Sequence, residues 1–156
     1  MSVVAPQSIK NAVMAMYAGA ALSLISIIVG LATKSSVMDD FRRQLVQDGN
    51  TPKEVDDAVS VASGVLNGSI IGLGIIGTLL WIWMAFANGK GKGWARIVAT
   101  VLFALNTIGT IGSFFGSPKP SAFGQVLNIL IWLAGLAAIY FLYRRESSDY
   151  INRATT

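Results

Sequence analysis

The chain has no cysteine and no histidine, and charged residues make up only 13% of it. Without cysteine there is no disulfide scaffold, no thiolate nucleophile and no thiolate ligand set for an iron–sulfur cluster. Without histidine there is no Ser-His-Asp triad, no histidine zinc site and no side chain that ordinarily titrates near neutral pH. A soluble domain carries about 25% charge, and disordered chains are charged and poor in apolar residues. The 156 residues are 53% hydrophobic, with a mean hydropathy of +0.59. These values describe one domain, residues 1–156, embedded in a membrane.

Four stretches contain no Asp, Glu, Lys or Arg: Asn11–Thr33, Ala58–Gly89, Ile97–Pro118 and Pro120–Tyr143. Each reaches the roughly 20 residues that a helix needs to cross the hydrocarbon core. Backbone groups in lipid must be satisfied within the segment, so the stretches read as helices. The spans are placed near 12–33, 66–87, 95–115 and 121–143. A soluble bundle would need a polar stripe on every helix, and these four have none. The first span is too long for the apolar region of a signal peptide, and Gly30-Leu31-Ala32 is a poor cleavage site.

The basic residues set the expected orientation. With the N-terminus inside, seven lie on the cytoplasmic side: Lys10, Lys90, Lys92, Arg96, Arg144, Arg145 and Arg153. Five lie outside, where six acids dilute them. Both termini are therefore expected in the cytoplasm. Trp81, Trp83, Trp94, Tyr140 and Tyr143 would form the inner aromatic belt, with Phe114, Phe115 and Phe123 at the outer face.

The segment 34–63 holds ten of the twenty charges. It has two hydroxyl-x-x-acid starts, Ser36-Val37-Met38-Asp39 and Thr51-Pro52-Lys53-Glu54, the second with Pro at the first helical position. Met38, Phe41 and Leu45 recur at helical spacing before Gly49, a plausible stop. Val55, Ala58, Val59 and Ala62 share one face of the next helix. That helix runs unbroken from Pro52 towards Asn88, on the order of 55 Å. Two readings apply to this outer helical loop. It packs on itself as a connector, or it offers Met38, Phe41, Leu45, Val55 and Val59 to a partner.

Gly64, Gly68 and Gly72 form a ladder on the second span, and Ala15, Gly19 and Ser23 form a similar one on the first. Small residues four apart let helix backbones approach closely. Packing of these two spans within the chain is the favoured reading, and self-association is the alternative. Asn106 and Asn128 lie at similar depths in spans three and four. Buried amides in lipid need partners, so they are expected to bond directly or through Thr107, Thr110 or a water. The four spans carry no ionisable Asp, Glu, Lys or Arg, which argues against ion-coupled transport and voltage sensing.

Gly89-Lys90-Gly91-Lys92-Gly93 is not a phosphate loop, since the GxxxxGK[ST] pattern and its preceding strand are missing. It reads as a cytoplasmic turn. Lys90, Lys92, Trp94, Arg96, Arg144 and Arg145 are candidates for contact with anionic lipid head groups. The net charge of +4 has the same origin. Nucleic acid would need a basic face on a soluble domain.

Met16-Tyr17-Ala18-Gly19-Ala20-Ala21-Leu22-Ser23-Leu24, Trp81-Ile82-Trp83-Met84-Ala85-Phe86-Ala87-Asn88-Gly89, Trp94-Ala95-Arg96-Ile97-Val98-Ala99-Thr100 and the Arg145-Glu146-Ser147-Ser148 ending resemble a widespread group of small four-span membrane proteins from actinobacteria. The resemblance implies an actinobacterial plasma membrane and carries no catalytic or binding residues with it.

The sequence thus predicts an all-α membrane protein with four transmembrane helices and a helical extracytoplasmic loop between the first two. It is expected to be non-enzymatic and without cofactor or metal. The expected role is an accessory or scaffold subunit of a larger plasma-membrane complex (transport, respiratory or envelope assembly), with lipids and other membrane subunits as partners. The alternative is a small homo-oligomeric channel built through the glycine ladder of the second span. Single cysteines test the orientation: Asp48→Cys should react with an impermeant maleimide from outside the cell, and Gly91→Cys only from inside. The reverse pattern would invert the topology.

Overall fold

The computed structural model describes residues 4–116 and 119–155, so Pro118, which ends the third charge-free stretch, lies outside it. The described residues are helical with short turns and no strand. The elements are α1 (Gln7–Gln47), α2 (Pro52–Gly68), a π-helical segment (Ser69–Leu73), α3 (Gly74–Gly89), α4 (Gly93–Phe115), α5 (Ala122–Leu142) and α6 (Arg145–Thr155). Four continuous helices are long and apolar enough to cross a membrane: α1, the run Pro52–Gly89, α4 and α5. This is the architecture of a multi-pass membrane protein. The two ends of the bundle are called below the Lys90 end and the Pro120 end.

The first helix differs from its sequence reading. A break was expected between span 12–33 and a separate helix capped at Ser36, but α1 continues through 41 residues without interruption. No glycine or proline lies between Leu31 and Asp48 to stop it. Thr33 bonds back to the Val29 carbonyl at 2.7 Å, so this hydroxyl is used inside the helix rather than as a new cap. Gly49 does end α1, with φ of +86° and its amide donating to the Val46 carbonyl at 3.1 Å.

The start of α2 follows its reading. Glu54 accepts from the Thr51 amide at 2.8 Å, and the Thr51 hydroxyl accepts from the Glu54 amide at 3.3 Å. Beyond the hydrophobic span, α1 and α2 form an antiparallel hairpin. Val37, Met38 and Val55 are buried, and Arg42 pairs with Asp56 at 2.6 Å. Both partners of that ion pair are well exposed, so it adds little stability.

In the bundle, α1 is central, packed between α3 and α5. Its small residues receive large side chains from its neighbours. A Cβ on Gly19 would lie 2.7 Å from the indole of Trp81, and one on Gly30 would lie 3.1 Å from Ile70. The relation reverses at Gly74, which lies against the Ile27 side chain. Across the bundle, Gly135 of α5 accepts the Phe103 ring, with a Cβ position 2.8 Å from Cδ2. Phe103 also stacks on Trp132 at 5.8 Å. Trp81 is therefore an interior wedge between α1 and α5 rather than part of an aromatic belt. Trp83, Trp94, Tyr140 and Tyr143 are exposed, as belt residues are.

The Lys90 end is closed by α6, a short polar helix that follows the last span. Ser147 is fully buried and shares a hydrogen bond of 2.7 Å with Ser8. Tyr150 donates to the Gly89 carbonyl at 3.1 Å, and Arg96 donates to Ser148 at 2.9 Å. Gly91 turns at φ of +74° beneath Tyr150 and Ala154. A cysteine there would be strained and shielded, so the inner label belongs at the exposed Lys92.

The interlocks distinguish glycines that pack from glycines that do not. Gly19→Val should cost roughly 1–3 kcal/mol by overpacking against Trp81. Gly68→Val, at a position facing open space, should stay within about 0.5 kcal/mol. Denaturant unfolding in one detergent would separate the two.

Candidate functional site

A partly open chamber of about 600 Å³ lies towards the Pro120 end, walled by α1, α4, α5 and the π segment. Its volume falls in the range of small-molecule sites. From α1 it receives Ser23, Ser26, Thr33 and Lys34, and from the π segment Ser69. From α4 and α5 it receives Asn106, Ser121 and Asn128. The π segment forms the wall opposite the α1 serines. A π bulge inserts one extra residue into a turn, re-aims the side chains that follow and is often found at functional sites.

Lys34 is the one cation of this lining, and no Asp or Glu accompanies it. Among the described residues it has no ion-pair or hydrogen-bond partner. Ser23 is only 8% exposed, yet its hydroxyl bonds to no group among the described residues. Helical serines commonly bond back to a carbonyl one turn earlier; this one does not.

The two membrane asparagines meet in this chamber without bonding to each other. Asn106 accepts from the Thr110 hydroxyl at 3.1 Å, and the Asn128 amide has no partner among the described residues. The hydroxyl of Thr107 is used elsewhere, accepting from Trp132 Nε1 at 2.9 Å while donating to the Phe103 carbonyl. The expected link between Asn106 and Asn128, direct or through Thr107 or Thr110, is absent among the described residues, and the two amides share a cavity instead. The α4–α5 contact is instead made by Trp132 and by Ser113 with Gln125.

Asn106 also borders a second space, an apolar crevice of about 210 Å³ lined by Met16, Gly77, Trp81, Leu102 and Phe103 among others. This crevice separates α3 from α4. The buried residues of α4 are Ala95 and Ala99, in its first two turns after the Lys90 turn. Farther along, its contacts are with α5, through Phe103, Thr107 and Ser113.

The two small-residue ladders behave differently. Ala15, Gly19 and Ser23 face the bundle, with Gly19 and Ser23 buried. Gly64, Gly68 and Gly72 do not pack against α1: a Cβ on any of them would meet nothing within 4 Å. The two spans do pack against each other within the chain, as expected, but not through this ladder. The second span meets α1 through Val55, Ile70, Gly74 and Trp81, and the ladder occupies another face. Its glycines lie beside the exposed Val61 and Val65.

The loop residues proposed for a partner also divide. Met38 and Val55 are buried in the α1–α2 hairpin and are not available to a partner. Phe41, Leu45 and Val59 are half-buried, and Phe41 borders a shallow groove along α2 with Val61 and Val65.

At the Lys90 end, Lys90 lies over the Phe86 ring at 4.1 Å and Arg144 lies 5.8 Å from the Tyr140 ring. Trp94 pairs with Trp83 at 5.6 Å, and Lys92 and Arg145 are exposed. Arg96 departs from the head-group reading, since its guanidinium is taken up by Ser148 and the Tyr143 ring. Nearby, Asn88 is fully buried and donates to the Met84 carbonyl, while its Oδ1 has no partner.

The chamber residues Ser26, Lys34 and Ser69 and the crevice residue Gly77 were not singled out from sequence. The available signal was the cluster of Gly68, Gly72, Gly74 and Gly77 around Ser69, which weakens regular α-helix. Compared with models of known protein families, with curated proteins and with solved structures, the chain has no match.

The bonding pattern around Asn106 and Asn128 makes a paired prediction. Thr107→Val removes the acceptor for Trp132 and should cost about 0.6–1.7 kcal/mol, the range of interhelical bonds in membranes. Asn128→Leu removes no intrachain bond and should leave the unfolding midpoint unchanged or raised. Thermal unfolding of both variants in detergent checks the order.

Proposed function

We propose that the chain is a non-enzymatic accessory or scaffold subunit of a larger plasma-membrane complex, acting by helix contact within the bilayer. The observation that carries this reading is the bare ladder of Gly64, Gly68 and Gly72, where an added Cβ would meet none of the described residues within 4 Å. In lipid, helices associate through close packing and weak Cα–H···O contacts at small residues. A face of this kind left open on a folded bundle suits the helix of another protein. The actinobacterial resemblance supports a bacterial plasma membrane. The unopposed Lys90, Lys92 and Arg96 support cytoplasmic termini and an extracytoplasmic α1–α2 hairpin. Lys92, Arg145, Trp94 and the ring-packed Lys90 and Arg144 then face the inner head groups.

A homo-oligomeric channel is the second reading, favoured by one observation. Gly109 and Gly112 of α4 also face open space, giving the chain two different small-residue faces, as a head-to-tail ring requires. Against it, the exposed neighbours of those glycines are Val61, Val65, Ile108 and Ile111. A pore lined by such residues dewets and closes.

Purification in mild detergent followed by mass spectrometry tests both. The accessory reading expects a larger membrane protein at fixed stoichiometry, lost on Gly68→Leu while the unfolding midpoint holds. Repeated recovery of the chain alone would overturn it. Recovery of a homo-oligomer that Gly68→Leu dissolves would replace it with the channel reading.

A further inference from the structure

We propose that the polar chamber and the apolar crevice together form one binding site for an amphiphile with an anionic head. The two spaces meet at Asn106, which lines both. On one side of it lie hydroxyls and amides with donors to spare. The hydroxyls of Ser23, Ser26 and Ser69 and the side-chain amide of Asn128 have no hydrogen-bond partner among the described residues. Lys34 supplies a positive charge that no carboxylate of the lining neutralises. On the other side the lining is Met16, Leu80, Trp81, Leu102 and Phe103, with Gly77 leaving open space beside α3.

This polarity order defines the ligand. A carboxylate or phosphate gains charge-assisted hydrogen bonds from Lys34 and the hydroxyls, and a hydrocarbon tail fills the crevice without stranding a polar group. A wholly polar solute would leave the crevice unfilled. A wholly apolar one would bury unpaired serine and asparagine groups at a cost. Entry is lateral, through the crevice between α3 and α4. The bound head then lies at the Pro120 end, where Lys34 and Ser121 sit. The site is independent of the docking face on α2, whose glycines point away from both spaces.

Native mass spectrometry of the protein in a neutral detergent, with dioleoylphosphatidylglycerol and dioleoylphosphatidylcholine added in equal amounts, is the test. The wild-type chain should retain the anionic lipid about fivefold over the zwitterionic one, the factor a single lysine supplies near a membrane surface. Lys34→Gln should bring the two to parity, while Lys53→Gln, at an exposed lysine of α2 outside the chamber, leaves the preference intact. Gly77→Leu, which fills the crevice, should lower retention of both lipids. Lys34, Lys53 and Gly77 have no side-chain partner among the described residues, and an unchanged unfolding midpoint verifies the fold. Added oleate identifies the source. Displacement of phosphatidylglycerol by oleate points to a single-chain carboxylate, and resistance to displacement points to a phosphate-headed lipid; either supports the site. No preference in the wild type would overturn the proposal, as would equal loss on Lys53→Gln or undiminished retention on Gly77→Leu.

Discussion

The close approach of α1 to its neighbours is the constraint on which the rest of the bundle depends. In water such a contact would be driven by burial of apolar area, but lipid tails are as apolar as leucine, so shape and dispersion must do the work. The chain solves this by fitting large side chains into glycine positions. Trp81 enters at Gly19, Ile70 at Gly30, Ile27 at Gly74 and Phe103 at Gly135. These contacts fix the rotation of the second span about its own axis. They thereby decide that Gly64, Gly68 and Gly72 look outward. Glycine spacing alone says that a helix has a groove, whereas the partner's bulky residues determine which groove is filled.

That distinction also separates what was legible in the sequence from what was not. Span positions followed from charge-free length, and the Thr51 cap and the Gly49 stop followed from local chemistry. All are properties of single segments. The continuity of α1 through Ser36 was misread because a serine followed by an acid three residues later fits a cap equally well inside a helix. The role of Trp81 was misread because a tryptophan near a span end usually lies in the interface. Neither error is local: each depends on which neighbour the residue meets. The π segment is a further case, since its register shift shows only in the hydrogen bonding of the folded helix.

The polar chamber and the crevice follow from the same packing. With α1 held tightly to α3 and α5, and α4 held chiefly to α5, one seam between helices stays open. Lys34, Asn106 and Asn128 look unremarkable along the sequence, one at a span boundary and two as isolated amides. They acquire meaning only together, because three separate helices deliver them to one space. Intramembrane polar groups are usually paired. Here the donors of Ser23 and Asn128 remain uncommitted among the described residues.

The hydrogen bond between Ser8 and Ser147 joins residues 139 positions apart. Because α6 follows all four spans, the groups it covers at Gly89 and Ser8 stay bare until the last span has been inserted. Closure of that end is thus a late event in biogenesis. A chain stalled before Ser147 would present an unsealed surface around Ile9 and Gly91, a difference between unfinished and finished molecules that membrane quality control can read.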